Sequence, residues 1–313
     1  MNSNPAADAT VGQIPTVLHS LARSLFPSTK FLAQRHSQGA SILQHRSFSA
    51  HAHLPRTAAV APAVLGWRPS LEELEREERK RRACQAGPSH RALLVDAAGT
   101  LLAPSEPAAQ VYKTIGRKYG VTISEGDILR RYRWAYSQPW SESHLRYVDD
   151  ARFFWASVIE ASTGCSDPQY FEDLYQYYAS ARAWRLIDPH AGEAFSALRE
   201  AGVKIAVVSN FDTRLRPILE QLGCSDWFDA LAISAEVEAE KPNPTIFLRA
   251  CELLGVPPEE AVHVGDDRRN DVWGARDAGC GDAWLWGDDV TSFAEVATRM
   301  GVAVAEAEEP LVA

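Results

Sequence analysis

Hydrophobic positions along the chain change their period twice. The apolar run Ala92-Leu93-Leu94-Val95 ends on Asp96 and gives way to Ala97-Ala98-Gly99-Thr100, which predicts a buried strand delivering one carboxylate to a tight loop. From there the pattern turns helical. Five blocks with apolar or aromatic residues at three-to-four spacing, 108–119, 124–137, 150–162, 169–181 and 189–201, are punctuated by Gly120, Pro139, Gly164, Pro168 and Pro189 and predict consecutive helices. Short apolar runs then return at 203–208, 229–234, 261–264 and 282–286, with a helical stretch at 244–254 closed by Gly255. This βα alternation predicts an α/β fold, a parallel sheet covered on both faces, with a helical block inserted between its first two strands. The aromatic residues of that block, Trp134, Tyr136, Trp140, Phe153, Phe154, Trp155, Phe171, Tyr175, Tyr177, Tyr178 and Trp184, are expected to form its core.

With 46% hydrophobic and 23% charged residues, the 313-residue chain can bury a full core. Its most apolar stretch, 57–66, is interrupted by Pro62 and falls well short of the ~18 residues of a membrane span, so no membrane partner is expected. The formal charge of −9 is unevenly distributed: six Lys and Arg face one acid before Leu71, leaving roughly −14 for the remainder. That remainder is a poor match for nucleic acid. Cys84, Cys165, Cys224, Cys251 and Cys280 are odd in number and lack CxxC spacing, which points to reduced thiols and away from a disulfide framework or zinc site.

Residues 1–56 are rich in Ser, Ala, Arg and His, contain the single acid Asp8, and carry short amphipathic pieces. They are expected to be an organelle transit peptide, mitochondrial by the run Arg46-Ser47-Phe48-Ser49-Ala50, with a plastid address as the alternative. Residues 57–89 form a linker with a densely charged helix at 71–82. The expected body comprises core residues 90–103, a helical insert at 104–187, core residues 188–302 and a tail at 303–313.

Four polar sites fall at the carboxyl ends of predicted strands or in the loops after them: Asp96 with Thr100, Ser209-Asn210, Lys241, and Asp266 through Asp271. In a doubly wound sheet these ends converge on one crevice. Asp96 and Asp266 offer hard oxygen ligands suited to Mg²⁺, while Ser209, Asn210, Lys241 and loop N–H groups suit phosphate oxygens.

With these residues in place the chain resembles the haloacid dehalogenase-like hydrolase superfamily. Asp96 to Thr100 is similar to its first motif, Ser209 to the second, Lys241 to the third, and Gly265-Asp266 with Asp271 to the fourth. The Ser-Asn-Phe-Asp form of the second motif most resembles the subgroup of haloacid dehalogenase-like hydrolase domain-containing protein 3. The resemblance implies a Rossmann-like parallel sheet core with an inserted α-helical cap domain, and Mg²⁺-dependent hydrolysis of a small phosphorylated metabolite. It implies further that Asp96 is the nucleophile and a metal ligand, that the Ala98 carbonyl, Asp266 and Asp271 complete the metal site, and that Thr100, Ser209, Asn210 and Lys241 bind the phosphoryl group, with Thr100 and Lys241 sharing in catalysis. Oligomeric state is left open.

One position departs from this pattern. Family phosphatases carry a general acid two residues after the nucleophile, and here that position is Ala98, whose methyl group transfers no proton. General acid–base assistance contributes ~10²–10⁴-fold, so alkyl phosphates are expected to react slowly unless His144, Asp149 or Asp212 substitutes. Two alternatives stay open: a weak or inactive member retained for binding or assembly, and a phosphonoacetaldehyde hydrolase-like enzyme. The latter needs an insert lysine, for which only Lys113 and Lys118 are available.

Overall fold

In the computed structural model, described for residues 70, 87–140 and 145–304, strand β1 (Ala92–Val95) is the middle of a five-stranded sheet. The described residues from 87 on belong to one compact unit. The transit segment, the charged helix 71–82, His144 and most of the tail lie outside the described residues. Chain order continues with β2 (Leu102–Pro104), α1 (Ala108–Gly116), α2 (Glu125–Ser137), α3 (Arg152–Thr163), α4 (Pro168–Tyr178), β3 (Trp184–Leu186), α5 (Ala191–Glu200) and β4 (Lys204–Ser209). Then come α6 (Leu215–Gln221), β5 (Ala230–Ile233), α7 (Ser234–Val237), α8 (Pro244–Leu254) and β6 (Ala261–Gly265). A π-helical turn (Arg268–Trp273), α9 (Gly274–Asp277), β7 (Asp282–Leu285) and α10 (Phe293–Arg299) complete the described chain.

The sheet order is β5-β4-β1-β6-β7 with every pair parallel. Period-2 alternation fixes its two faces. Leu93 and Val95 join the core built with α5 and α10, whereas Ala92 and Leu94 join the core built with α8. Because β1 is flanked by β4 on one side and β6 on the other, the chain reverses its winding there, and the crevice at the carboxyl ends opens over Asp96.

Helices α1–α4 form a third hydrophobic cluster of their own, including Tyr112, Ile128, Phe154 and Leu174. Local chemistry sets their limits. Ser124 caps α2 by accepting from Asp127 N at 3.1 Å, and Asp167 caps α4 with Pro168 in the first turn. Gly164 closes α3 in the left-handed region. Helix α3 begins at Arg152, two residues later than the pattern predicts, because Asp149 and Ala151 adopt positive φ of 50° and 55°. The antiparallel pair β2 and β3 frames the helical insert, with Leu102 opposite Leu186 and Pro104 opposite Trp184. Strands of three residues, one of them ending on Pro104, leave no periodic trace in the sequence.

Candidate functional site

Asp96 leaves β1 with its backbone N–H bonded to Val264 O at 2.9 Å, so the neighbouring strand fixes where the carboxylate starts. The chain then turns sharply, with Leu101 N and Leu102 N both donating to Ala97 O at 2.9 and 2.8 Å. Gly99 is required twice over: its φ is +106°, and a Cβ there would sit 2.4 Å from Asp266 Oδ2. Gly265 permits an equally close approach, since a Cβ would meet Asp271 Cγ at 2.2 Å.

The loops after β1 and β6, together with the Lys241 loop, bring five predicted residues into one buried cluster. Lys241 Nζ donates to Asp96 Oδ1 at 2.6 Å, to Asp271 Oδ1 at 2.7 Å and to Val208 O at 3.0 Å. Thr100 Oγ1 donates to Asp96 Oδ2 at 3.1 Å. Carboxylate oxygens of Asp96, Asp266 and Asp271 lie within 4.8 Å of one another. Three buried acids against one ammonium leave an excess of negative charge that is costly in a low-dielectric setting. A divalent cation with a preference for hard oxygen fits that donor set.

The charges divide unequally. Burial, with help from Asp271, raises the Asp96 carboxyl to about 7 although Lys241 opposes it. Burial also works to raise Asp271, but Lys241 and His263 hold it below the usual carboxylate range. For Lys241, burial disfavours the ammonium and the two carboxylates outweigh it, keeping the group protonated.

Ser209, at the end of β4, is buried, and its Oγ has no hydrogen-bond partner among the described residues. A hydroxyl in that position has donor capacity for a phosphate oxygen. Asn210 is tied to the lysine loop. Its Oδ1 accepts from Lys241 N at 2.6 Å and its Nδ2 donates to Lys241 O at 3.0 Å, so the amide clamps the lysine backbone. Asn210 is therefore a positioning residue for Lys241, although it also borders the cavity.

Neither described substitute for the missing acid is placed to act. Asp212 is buried and fully engaged, accepting from Arg214 Nε and Nη2 at 2.8 and 2.7 Å and from Trp155 Nε1 at 3.1 Å. Asp149 is exposed and does not line the cavity. Ala98 lines it with a methyl group. No lysine of the insert lines it either, and Lys118 Nζ is paired with Asp173 at 2.6 Å.

Two features escape sequence reasoning. His263 Nε2 lies 3.0 Å from Asp271 Oδ1 and its ring packs edge-on to Phe247, so a histidine inside β6 orients a carboxylate of the cluster. A polar residue in the apolar run Ala261 to Val264 is the signal that could have found it. The second feature is the aromatic stripe. Trp134 and Phe153 are exposed, while Tyr136, Trp155, Tyr175, Tyr178 and Trp184 line a cavity that opens onto Asp96 and Lys241.

Residues 90–279 match the family model described as hydrolase, haloacid dehalogenase-like hydrolase. The chain belongs to the haloacid dehalogenase-like hydrolase family. It is 33% identical to haloacid dehalogenase-like hydrolase domain-containing protein 3 of Xenopus laevis over 61% of this chain and 82% of that protein. It is 29% identical to N-acylneuraminate-9-phosphatase of Mus musculus, over 59% of this chain and 75% of that protein. Among solved structures it resembles a HAD phosphatase from Thermococcus onnurineus with a TM-score of 0.50 and 28% identity, covering 68% of this chain and 99% of the other. The family assignment makes the chain a hydrolase, in agreement with the polar cluster at the sheet edge.

Proposed function

We propose that this hydrolase is a Mg²⁺-dependent phosphatase acting on a small phosphorylated metabolite through an aspartyl-phosphate on Asp96. The observation that carries the reading is the convergence of Asp96, Thr100, Lys241, Asp266 and Asp271 in one buried cluster below a cavity. The phosphatase names of two similar proteins support it. Asp96, Asp266 and the Ala98 carbonyl would hold Mg²⁺, with Asp271 supporting them. Bound there, the ion supplies charge neutralisation for the transferring phosphoryl group.

The side chains then have separable tasks. An Asp96 oxygen attacks phosphorus, forming a new P–O bond as the ester P–O bond breaks, and the electron pair leaves on the alcohol oxygen. Lys241 and Thr100 orient the Asp96 carboxylate, Lys241 stabilising its ionised form. Ser209 binds a phosphoryl oxygen, and Asn210 holds Lys241 in place. Water then attacks the aspartyl-phosphate, releasing inorganic phosphate and restoring Asp96. The Ala98 methyl transfers no proton in either half-reaction, so the leaving oxygen takes its proton from solvent.

Hydrolysis of 4-nitrophenyl phosphate, measured with Mg²⁺ and with chelator for the native chain and Asp96→Asn, tests the reading. Turnover should require both the metal and Asp96; activity unchanged by either manipulation would sink it. Ala98 also favours a second reading, a member that binds a phosphometabolite without turning it over, and phosphate binding without hydrolysis of any ester would establish that instead. The acid-poor segment 1–56 is proposed as a removable mitochondrial address, with plastid as the alternative. A reporter fused to it should leave the cytosol, and a reporter that stays there contradicts the proposal.

A further inference from the structure

The cavity above Asp96 is walled by rings. Nine of its 22 lining residues are aromatic, and Ile159 is the one branched aliphatic side chain among them. An alkyl leaving group would be matched by Leu, Ile and Val, and a polyol by many polar groups with open hydrogen-bonding capacity. The tyrosine hydroxyls are instead partly committed to the protein: Tyr136 and Tyr147 share a bond of 2.6 Å, and Tyr175 donates to Asp150 O at 2.7 Å. What these residues present is ring surface. Tyr132 and Tyr136 lie nearly parallel, 6.0 Å apart at 14°, and the Arg146 guanidinium sits 5.2 Å from the Tyr136 ring centre.

Two hydroxyls among the lining residues break this pattern, beside the Asp267 Oδ2 and Asn270 Oδ1 acceptors after β6, which also lack a partner among the described residues. Ser209 Oγ, at the end of β4, and Tyr178 OH, in the helical insert, are both buried, and neither has a hydrogen-bond partner among the described residues. Buried polar atoms are ordinarily satisfied, so each marks a place where a ligand atom would complete the bonding. The first fits the phosphoryl end of a substrate. The second lies among the aromatic walls, where it would meet the body of the leaving group.

Building on the phosphatase reading, we infer that the substrate is the monophosphate of a flat aromatic or heteroaromatic compound carrying a polar ring atom or substituent. The ring packs against the tyrosine and tryptophan walls, and Tyr178 bonds the polar ring atom. Tyr178 is thereby a specificity residue, and the insert selects by ring stacking more than by charge.

Benzyl and cyclohexylmethyl phosphate isolate the ring, because both have alkyl leaving groups of similar size. With the full chain and Mg²⁺, benzyl phosphate should show a KM about 3–10-fold lower, the range expected from one or two aromatic contacts. The non-hydrolysable benzylphosphonate and cyclohexylmethylphosphonate should show the same preference in Kd, read from quenching of tryptophan fluorescence with Trp155 and Trp184 as lining reporters. Tyr178→Phe should raise the KM of pyridin-4-ylmethyl phosphate about 3–10-fold and that of benzyl phosphate less. Equal Kd values for the two phosphonates would overturn the inference and leave the phosphatase reading intact. A preference for benzylphosphonate with no ester hydrolysed would support the aromatic chamber and overturn the phosphatase reading. Equal effects of Tyr178→Phe on both esters would remove Tyr178 from recognition.

Discussion

The sheet edge and the helical insert build one cavity by opposite means. At the sheet edge a few charged side chains are held at fixed distances, with Lys241 bridging Asp96 and Asp271. In the insert the lining is large, mostly uncharged and held by ring packing, with neighbouring centroids such as Tyr136 and Phe154 5.8 Å apart. In the first region the position of single atoms matters, because its charges interact over 2.6–2.7 Å. In the second what matters is the shape that the packed rings leave open.

The comparison breaks most sharply at Asp96. Asp96→Asn should lower phosphate ester turnover on the order of 10³-fold or more, with circular dichroism unchanged; residual activity above a tenth of native would remove Asp96 from the nucleophile role. Ala98→Asp acts in the other direction. It should raise turnover of alkyl phosphates by about 10²–10⁴-fold and that of 4-nitrophenyl phosphate less, because the nitrophenolate departs without a proton. Equal gains on both substrates would show that proton delivery is not what Ala98 lacks.

The junction between the two regions has its own weak point. Arg214 is held by Asp212 and stacks 4.0 Å from the Tyr175 ring centre, while Trp155 donates to the same carboxylate. Asp212→Ala strands a buried guanidinium, which should cost about 3–5 kcal/mol in chemical denaturation. A loss below about 1 kcal/mol would mean that Arg214 finds water instead.

Acidity gives the smallest effect and sharpens the charge side alone. Burial raises Asp96 to about 7 in the metal-free site, so below that pH a proton must leave before the carboxylate can take a cation. Mg²⁺ affinity should therefore fall as pH drops through this range, approaching about tenfold per pH unit, and level off above it. In the metal-free protein the sign for stability is opposite. A folded-state pKa raised above the ordinary carboxylate value means that the proton stabilises the fold, and this contribution fades as pH rises through about 7. Calorimetric titration of Mg²⁺ at several pH values measures the first effect, and affinity independent of pH would contradict it.

Much of the sheet edge is legible in the amino-acid sequence alone. An acid ending an apolar strand, a serine ending another, a lysine before Pro242 and acids after Gly265 are local patterns, and strand-end placement in a parallel sheet determines that they meet. What they do to one another is not legible there. That Asn210 clamps Lys241, that His263 holds Asp271, and that Asp212 is consumed by Arg214 each depend on contacts between residues far apart in the chain or on side-chain direction, which period and composition do not encode.

The insert shows the same limit more strongly. Helical spacing of aromatic residues determined that α1–α4 form and bury a face, because an apolar stripe has to leave water. It could not determine which rings would pack among themselves and which would face the cavity, since a tyrosine in a core and a tyrosine in a pocket wall have the same period. Only the placement of the insert over β1 and β4 decided that Tyr132, Tyr147 and Tyr178 line the space above Asp96. By itself the sequence determined the α/β class and the sheet-edge residues, with Ala98 two positions after Asp96. Tertiary structure decided their partners and the aromatic chamber, because those arise from how independently formed surfaces meet.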